Sequence, residues 1–259
     1  MLKRPADPQT AHQFQRSQDE SYRVLRSNVS VALSDIEHPT LAVTSAYAGE
    51  GKTSTAVNLA RSLALAGQRV ILVDLDLRHP DTHHWLGAHN EFGVSDVILD
   101  RRSVEKTMQY VEVGKGPRTT ARALYLLSTG PPVANPAELL GTRRTAQLIN
   151  SLSLQADIVV VDTPPVLPVA DTLVIGRMVT GALLVVETRR TPIGAITQAK
   201  DALTRNQTRL FGVVVNKLHA KDADGGYGYG YGYGYGDRYG DGDDPGEPVP
   251  DPDQPMQRS

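Results

Sequence analysis

The chain has 259 residues, a net charge of −2 and no cysteine. These values suit one globular domain and exclude disulfides, thiolate metal sites and iron–sulfur clusters. No apolar run approaches the ~20 residues of a transmembrane helix, and residues 1–10 lack the apolar core of a secretory signal, so we expect a cytoplasmic protein that reaches a membrane only through another protein.

An amphipathic helix is predicted near the N-terminus. Tyr22, Leu25, Val29, Leu33 and Ile36 recur at spacings of three and four, which is typical of one apolar helical face. The prediction covers residues 17–36. Residues 1–16 before it are expected to be a flexible N-terminus.

Strand and helix patterns alternate through the middle of the chain. Buried strands are predicted over 41–45, 70–74, 124–127, 158–162, 182–187 and 210–216, and helices over 52–66, 136–152 and 193–205. Near-continuous apolar strands that alternate with helices are typical of a parallel sheet covered on both faces. We therefore predict a three-layer α/β domain over 17–220 with a mostly parallel sheet. Residues 79–122 carry no readable pattern.

The C-terminal segment 221–259 differs in composition from the rest. It is rich in glycine, acidic residues and proline, so we expect it to be disordered. Residues 222–259 carry nine acidic and two basic side chains, a net charge of −7, whereas residues 1–221 carry 20 acidic and 25 basic ones, a net charge of +5. Opposite charges would let tail and body attract each other, although a solubilising tail would have the same composition.

A phosphate-binding loop is predicted between the first strand and the following helix. Residues 46–53 are AYAGEGKT, close to the pattern G-x-x-x-x-G-K-[ST] with alanine in place of the first glycine. The glycines would let backbone N–H groups face phosphate oxygens, the lysine would neutralise the β- and γ-phosphates, and the threonine would hold Mg²⁺. A glycine turn that only joins strand to helix is the alternative. The predicted nucleotide-binding residues are Gly49, Glu50, Gly51, Lys52, Thr53 and Ser54.

Three aspartates follow two other apolar strands. Asp74 and Asp76 end ILVDLDLR, and Asp162 ends the strand of VVVDTPP. Carboxylates at the C-terminal ends of parallel strands lie at the edge where α/β folds bind ligands. There they can hold Mg²⁺, and Asp74 or Asp76 could accept a hydroxyl proton. One aspartate alone would more simply cap a turn.

These three motifs together resemble the Walker A, Walker A′ and Walker B motifs of the bacterial tyrosine kinases, the family that controls capsule and exopolysaccharide synthesis. The resemblance covers about residues 15–239. It includes residues 20–26, ESYRVLR, which are similar to the family's E-x-x-R-x-x-R helix, and residues 135–140, NPAELL. It implies a P-loop NTPase fold of the deviant Walker type, with ATP and Mg²⁺ as cofactors.

The resemblance also implies a role for individual residues. Asp74 would lie nearest the incoming tyrosine hydroxyl and act as its base. The implied catalytic residues are Lys52, Asp74, Asp76 and Asp162, the implied Mg²⁺ ligands are Thr53, Asp76 and Asp162, and the implied subunit interface of a ring is Glu20, Arg23 and Arg26.

The tail carries the expected phosphate acceptors. Glycine alternates with its tyrosines, so we expect every ring to be exposed and an extended strand to be able to enter a neighbouring active site. A sticky low-complexity tail is the alternative. The expected acceptors are Tyr227, Tyr229, Tyr231, Tyr233, Tyr235 and Tyr239. The function predicted is therefore an ATP-dependent tyrosine autokinase that acts in trans within a homo-oligomeric ring.

The partners expected from the resemblance are a separate transmembrane activator or polysaccharide co-polymerase and a cognate tyrosine phosphatase, with no nucleic acid. The second hypothesis is a deviant Walker ATPase switch for partitioning or positioning. Proteins of that kind carry a signature lysine two residues before the first conserved glycine, where this chain has Tyr47. A nucleotide-binding scaffold with little turnover is a third hypothesis. Asn216 begins NKLH, which resembles a base-reading element, although a strand end without a ligand explains it equally well.

Overall fold

The computed structural model describes residues 8–115 and 121–218. The predicted disordered tail and its six tyrosines lie outside the described residues. The helices are α1 (Pro8–Ala32), α2 (Lys52–Leu65), α3 (Thr82–Leu86), α4 (Val94–Ile98), α5 (Pro136–Leu140), α6 (Arg143–Ser153), α7 (Asp171–Gly176) and α8 (Ile193–Arg205). The strands are β1 (Thr40–Ser45), β2 (Val70–Asp74), β3 (Gln109–Lys115), β4 (Ala121–Leu127), β5 (Ile158–Asp162), β6 (Gly181–Glu187) and β7 (Leu210–Asn216).

The strands form one sheet in the order β3-β4-β2-β5-β1-β6-β7. All neighbouring pairs are parallel except β3 and β4, which pair antiparallel with an irregularity between Glu112 and Gly114. The predicted mostly parallel sheet is therefore confirmed.

Alternate side chains of the central strands pack on opposite faces of the sheet. On β5, Ile158 and Val160 join the cluster that contains α2 and the end of α1, whereas Val159 and Val161 join the cluster beneath α4 and α6. Because both faces are covered by helices, both sets of side chains are buried, and the strand sequence is apolar throughout. This explains why IVVVD was readable as a buried strand.

Several boundaries differ from the prediction. Helix α1 begins at Pro8 and ends at Ala32, whereas the apolar spacing placed it over 17–36. The helix predicted over 136–152 is two helices, because the chain turns at Gly141 and Thr142 before α6 begins, with the Thr142 hydroxyl accepting from the Thr145 N–H. The unreadable stretch 79–122 holds α3, α4 and β3.

The sheet brings the functional motifs to one edge. In the strand register Asp74 lies opposite Asp162, and Asp162 lies opposite Val43, two residues before the end of β1. The phosphate loop and both aspartate motifs therefore meet where β1, β5 and β2 end. No helix within the described ranges is long and apolar enough to cross a bilayer.

Candidate active site

The loop between β1 and α2 has the backbone that phosphate binding requires. Gly49 and Gly51 have φ values of 84° and 100°, in the left-handed region where only glycine is unstrained. A Cβ on Gly51 would also overlap the side-chain amide of Asn216. Helix α2 begins at Lys52, so the N–H groups of its first turn, which have no partner within the helix, face the loop. Such a helix start favours an anion.

The buried side chain of Glu50 stabilises the conformation of this loop through hydrogen bonds. Its carboxylate is buried and accepts from the Tyr47 N–H at 2.9 Å and from the Thr191 hydroxyl. The Ser45 hydroxyl donates to the Tyr47 carbonyl at 2.7 Å. The Glu50 side chain therefore fixes the loop conformation, and any contact of this residue with phosphate falls to its backbone.

Asn216, which ends β7, and Lys217, which follows it, donate hydrogen bonds to carbonyls of the loop. The Asn216 side-chain amide donates to the Glu50 carbonyl at 2.9 Å. Lys217 Nζ donates to the Gly49 carbonyl at 2.7 Å and to Glu187 Oε2 at 2.8 Å. Asn216 thus has a role as a loop support, while its role in reading the base stays a prediction. The link through Lys217 and Glu187 was missed, because nothing in the sequence marks a contact between residues so far apart.

The Lys52 ammonium lies beside the side chains of Asp76 and Asp162. Its Nζ lies 2.7 Å from Asp76 Oδ2 and 3.8 Å from Asp162 Oδ1, and it donates to the Thr53 hydroxyl at 3.1 Å. Burial opposes its charge, but the Asp162 and Asp76 carboxylates outweigh that effect and raise the pKa of Lys52 above its ordinary value. The structure therefore brings together the lysine, the threonine and two of the aspartates predicted from sequence.

Asp162 is buried without a hydrogen-bond partner for either carboxylate oxygen. Burial raises the pKa of Asp162 to about 8, against the opposing effect of Lys52, and Asp74 opposite it adds to the rise. Buried polar atoms in native proteins normally have partners, and unpartnered carboxylate oxygens are the ligands that a hard divalent cation prefers. Asp162 therefore fits the predicted Mg²⁺ site. Within the described ranges, however, no group of three or more acidic or histidine side chains is arranged around one metal position.

Asp74 has a different environment. It is fully buried, and its oxygens accept from the Asp76 N–H at 3.0 Å and from the Thr82 hydroxyl at 2.8 Å. Burial raises the pKa of Asp74 to about 6, although these hydrogen bonds oppose the rise. In this conformation its carboxylate holds the segment between β2 and α3, so its role as a base stays a prediction.

A cavity of about 590 Å³ opens beside these groups. Its polar lining includes Gly49, Gly51, Lys52, Thr53, Ser54, Asp76 and Arg78. Arg78 forms a two-pronged ion pair with the buried Asp171, at 2.7 and 3.0 Å, which links the end of β2 to the start of α7. The pairing of Arg78 with Asp171 was also missed, because Asp171 lies in no motif.

The predicted interface residues lie on α1, outside this cavity. Arg23 and Glu20 are exposed and pair with each other at 2.8 Å. Arg26 is half-buried and donates to the Ser62 carbonyl of α2 at 3.2 Å. Arg26 therefore holds α1 on the domain, whereas Glu20 and Arg23 are open to solvent.

The chain matches the family model described as the CobQ/CobB/MinD/ParA nucleotide binding domain over residues 41–225. It is 35% identical over 209 residues to the tyrosine-protein kinase YwqD of Bacillus subtilis, covering 80% of this chain and 85% of the relative. It is 32% identical over 203 residues to the tyrosine-protein kinase wzc of Salmonella typhi, covering 77% of this chain but 27% of that longer protein.

A solved structure shares the architecture. The kinase domain of the Escherichia coli tyrosine kinase ETK superposes with a TM-score of 0.71 at 28% identity, covering 82% of this chain and 80% of that chain.

The raised pKa of Asp162 predicts a pH-dependent stability. Between pH 4 and pH 8 the folded protein keeps a proton on this group that the unfolded chain has lost, so stability should fall as pH rises through this range and level off above it. Asp162→Asn removes the effect. In chelator, we expect the denaturation free energy of the wild type, relative to the variant, to drop on the order of a few kcal/mol between pH 5 and pH 8.5.

The control is Asp35→Asn, which changes an exposed aspartate and should leave the pH dependence of the wild type intact. Parallel curves for wild type and Asp162→Asn would show that Asp162 is ionised throughout this range.

Proposed function

The chain belongs to the CobQ/CobB/MinD/ParA nucleotide-binding family and, within it, to the bacterial tyrosine-protein kinases, and from this membership we propose that it transfers the γ-phosphoryl group of ATP to the tyrosines of its own C-terminal tail. One observation carries the proposal. Lys52 Nζ at the start of α2 lies 2.7 Å from Asp76 and 3.8 Å from Asp162, beneath a glycine loop and beside an open cavity.

The residues of this site suit phosphoryl transfer. The loop amides and Lys52 would hold the phosphates of ATP, and Thr53, Asp76 and Asp162 would hold Mg²⁺, with the remaining ligands supplied by phosphate and water. Bound there, Mg²⁺ would neutralise charge on the β- and γ-phosphates. These positions offset the negative charge that accumulates during the reaction.

In the transfer the tyrosine oxygen forms a bond to the γ-phosphorus, the bond from that phosphorus to the β–γ bridging oxygen breaks, and ADP leaves. The phenolic proton needs an acceptor. Asp76 lines the cavity, whereas Asp74 does not and would have to give up a hydrogen bond first. Of the two proposed bases Asp76 is therefore the one that lines the cavity, but its contacts with Lys52 and with the His79 N–H would have to loosen before it accepted the proton.

The tail supplies the proposed acceptors, Tyr227, Tyr229, Tyr231, Tyr233, Tyr235 and Tyr239. Their alternation with glycine supports presentation as an extended strand, and the net charges of −7 on the tail and +5 on the rest support attraction between copies. We propose that each tail enters the site of a neighbouring subunit in a ring.

The wider setting follows from the same resemblance. We propose that the kinase acts at the cytoplasmic face of the membrane through a separate transmembrane activator, that a tyrosine phosphatase reverses the reaction, and that the cycle regulates capsule or exopolysaccharide synthesis.

The first test is intact-mass measurement after incubation with ATP and Mg²⁺. We expect stepwise additions of phosphate to the wild type, confined to residues 227–239, and none to Lys52→Met, because that variant loses the ammonium that holds the phosphates. Lys200→Met, at an exposed position on α8, is the matched control and should behave as wild type. An unmodified wild-type tail would refute the proposal.

Transfer in trans is tested by mixing two full-length variants, one without a working active site and one without acceptor tyrosines. Lys52→Met keeps an intact tail, and a second variant keeps the active site but has phenylalanine at all six tail tyrosines. We expect the mixture, but neither protein alone, to place phosphate on the tail of Lys52→Met. A tail that stays unmodified in the mixture, while wild type is modified, would establish transfer within one chain.

The ring is tested at α1. Because Arg23 and Glu20 are exposed in the single chain, Arg23→Glu should shift sedimentation to the monomer without lowering the melting temperature. Arg26 is unsuitable because it also holds α1 on α2. Lys200→Glu makes the same charge change on α8 and should leave assembly intact. If Arg23→Glu sediments as the same assembly as Lys200→Glu and the wild type, this face of α1 is not the interface.

A further inference from the structure

The cavity beside Lys52 also has an apolar wall, which phosphate binding does not require. Trp85 and the prolines Pro80, Pro164, Pro165 and Pro168 contribute to it, together with Val169. Trp85 is the single tryptophan of the sequence, and its side chain is 49% exposed. A large aromatic ring left half in solvent beside a catalytic lysine is available to contact a bound molecule.

A hydrogen bond to the preceding turn orients the indole. Its Nε1–H donates to Asp81 Oδ2 at 2.9 Å. Trp85 lies on α3, whose first residue, Thr82, donates its hydroxyl to Asp74 at 2.8 Å. The ring is thereby connected through α3 to the strand end that carries the aspartates. A pre-positioned ring loses little conformational entropy when a partner stacks on it.

Trp85 follows β2, on the side of the phosphate loop toward which Lys52 points. The phosphate loop follows β1, and the base-side candidate Asn216 ends β7, beyond β6 in the sheet order. Lys52 inclines the other way, toward Asp76 and Asp162 after β2 and β5. Trp85 and the prolines also follow β2 and β5. The Lys52 ammonium, which would hold the transferable phosphate, and this apolar wall therefore lie on one side of the loop, and Asn216 lies on the other.

We propose that Trp85, with the prolines beside it, is the platform on which the ring of the acceptor tyrosine stacks, and that it selects the Tyr-Gly segment 227–239 of a second copy. This rests on the proposed function. The segment has no aliphatic side chains, so tyrosine rings are the main apolar groups that it can offer. Tyrosine rings pack favourably on aromatic faces, and glycine on both sides lets the backbone approach the wall closely.

The kinetic test measures phosphorylation of a synthetic peptide of residues 225–240. The enzyme is the full-length chain with serine at the six tail tyrosines, since a tail without rings cannot compete for the platform. In this background Trp85→Ala should raise the KM for the peptide roughly five- to tenfold, while kcat and the KM for ATP change less than twofold. Trp85→Phe keeps an aromatic face and should stay within twofold of its parent.

The matched control is Phe92→Ala. Phe92 is 43% exposed but does not line the cavity, and Arg102 lies over its ring. This variant should not change the KM for the peptide. An unchanged KM for the peptide in Trp85→Ala overturns the proposal. A parallel rise in the KM for ATP also overturns it, because the indole would then bind the base. A Trp85→Phe variant as weak as Trp85→Ala would assign the effect to the lost bond to Asp81 instead.

Fluorescence separates this proposal from the proposed function. Because Trp85 is the only tryptophan, the emission of the full-length serine-tail protein reports on its ring directly. With Mg²⁺ and a non-hydrolysable ATP analogue, the peptide should change that emission saturably, and the same peptide with serine in place of tyrosine should not. If the parent transfers no phosphate, the proposed function fails, yet this titration still decides the platform. An emission unaffected by the tyrosine peptide overturns it.

Discussion

One buried ammonium faces three buried carboxyl groups, and the rest of the site depends on the shortage of positive charge for their ionised forms. Asp74, Asp76 and Asp162 are each at most 1% exposed, and in the described part of the chain Lys52 is the side chain that forms ion pairs with Asp76 and Asp162. Removing carboxylates from water is costly unless each is paired or hydrogen-bonded. Asp74 and Asp162 also lie opposite each other on neighbouring strands, where like charges repel. The site therefore favours additional positive charge.

Each carboxylate meets this constraint differently. Asp76 takes the short contact with Lys52, and Asp74 accepts hydrogen bonds from the chain that follows it. Asp162 has neither, and burial raises its pKa to about 8, against about 6 for Asp74. Asp162, whose carboxylate oxygens have no hydrogen-bond partner, is also the aspartate at the end of β5, the central strand that pairs with β1. This is the arrangement expected of a metal ligand whose ion is part of the substrate complex.

The sequence predicted those parts of the fold in which one short segment carries the whole signal. Strands such as IVVVD are apolar throughout because both their faces are buried, and AYAGEGKT carries its own turn and helix start. Helices α3 and α4 are five residues each, too short to show a helical period, and β3 runs antiparallel at the edge. The supports of the site were missed because they join distant residues, as Lys217 does with Gly49 and Arg78 does with Asp171.

The residue at position 47 distinguishes a kinase from the alternative nucleotide switch. The switch hypothesis expects a second lysine at the loop position held here by Tyr47, which is 44% exposed and whose backbone hydrogen-bonds to Glu50 and Ser45. Lys217, which follows β7, also reaches this loop. Its ammonium donates to the Gly49 carbonyl and pairs with Glu187. Position 47 therefore adds no second ammonium to this loop. Instead, the loop turns an aromatic ring to solvent, and the charge balance of the site is left to Lys52 and to whatever binds beside Asp162.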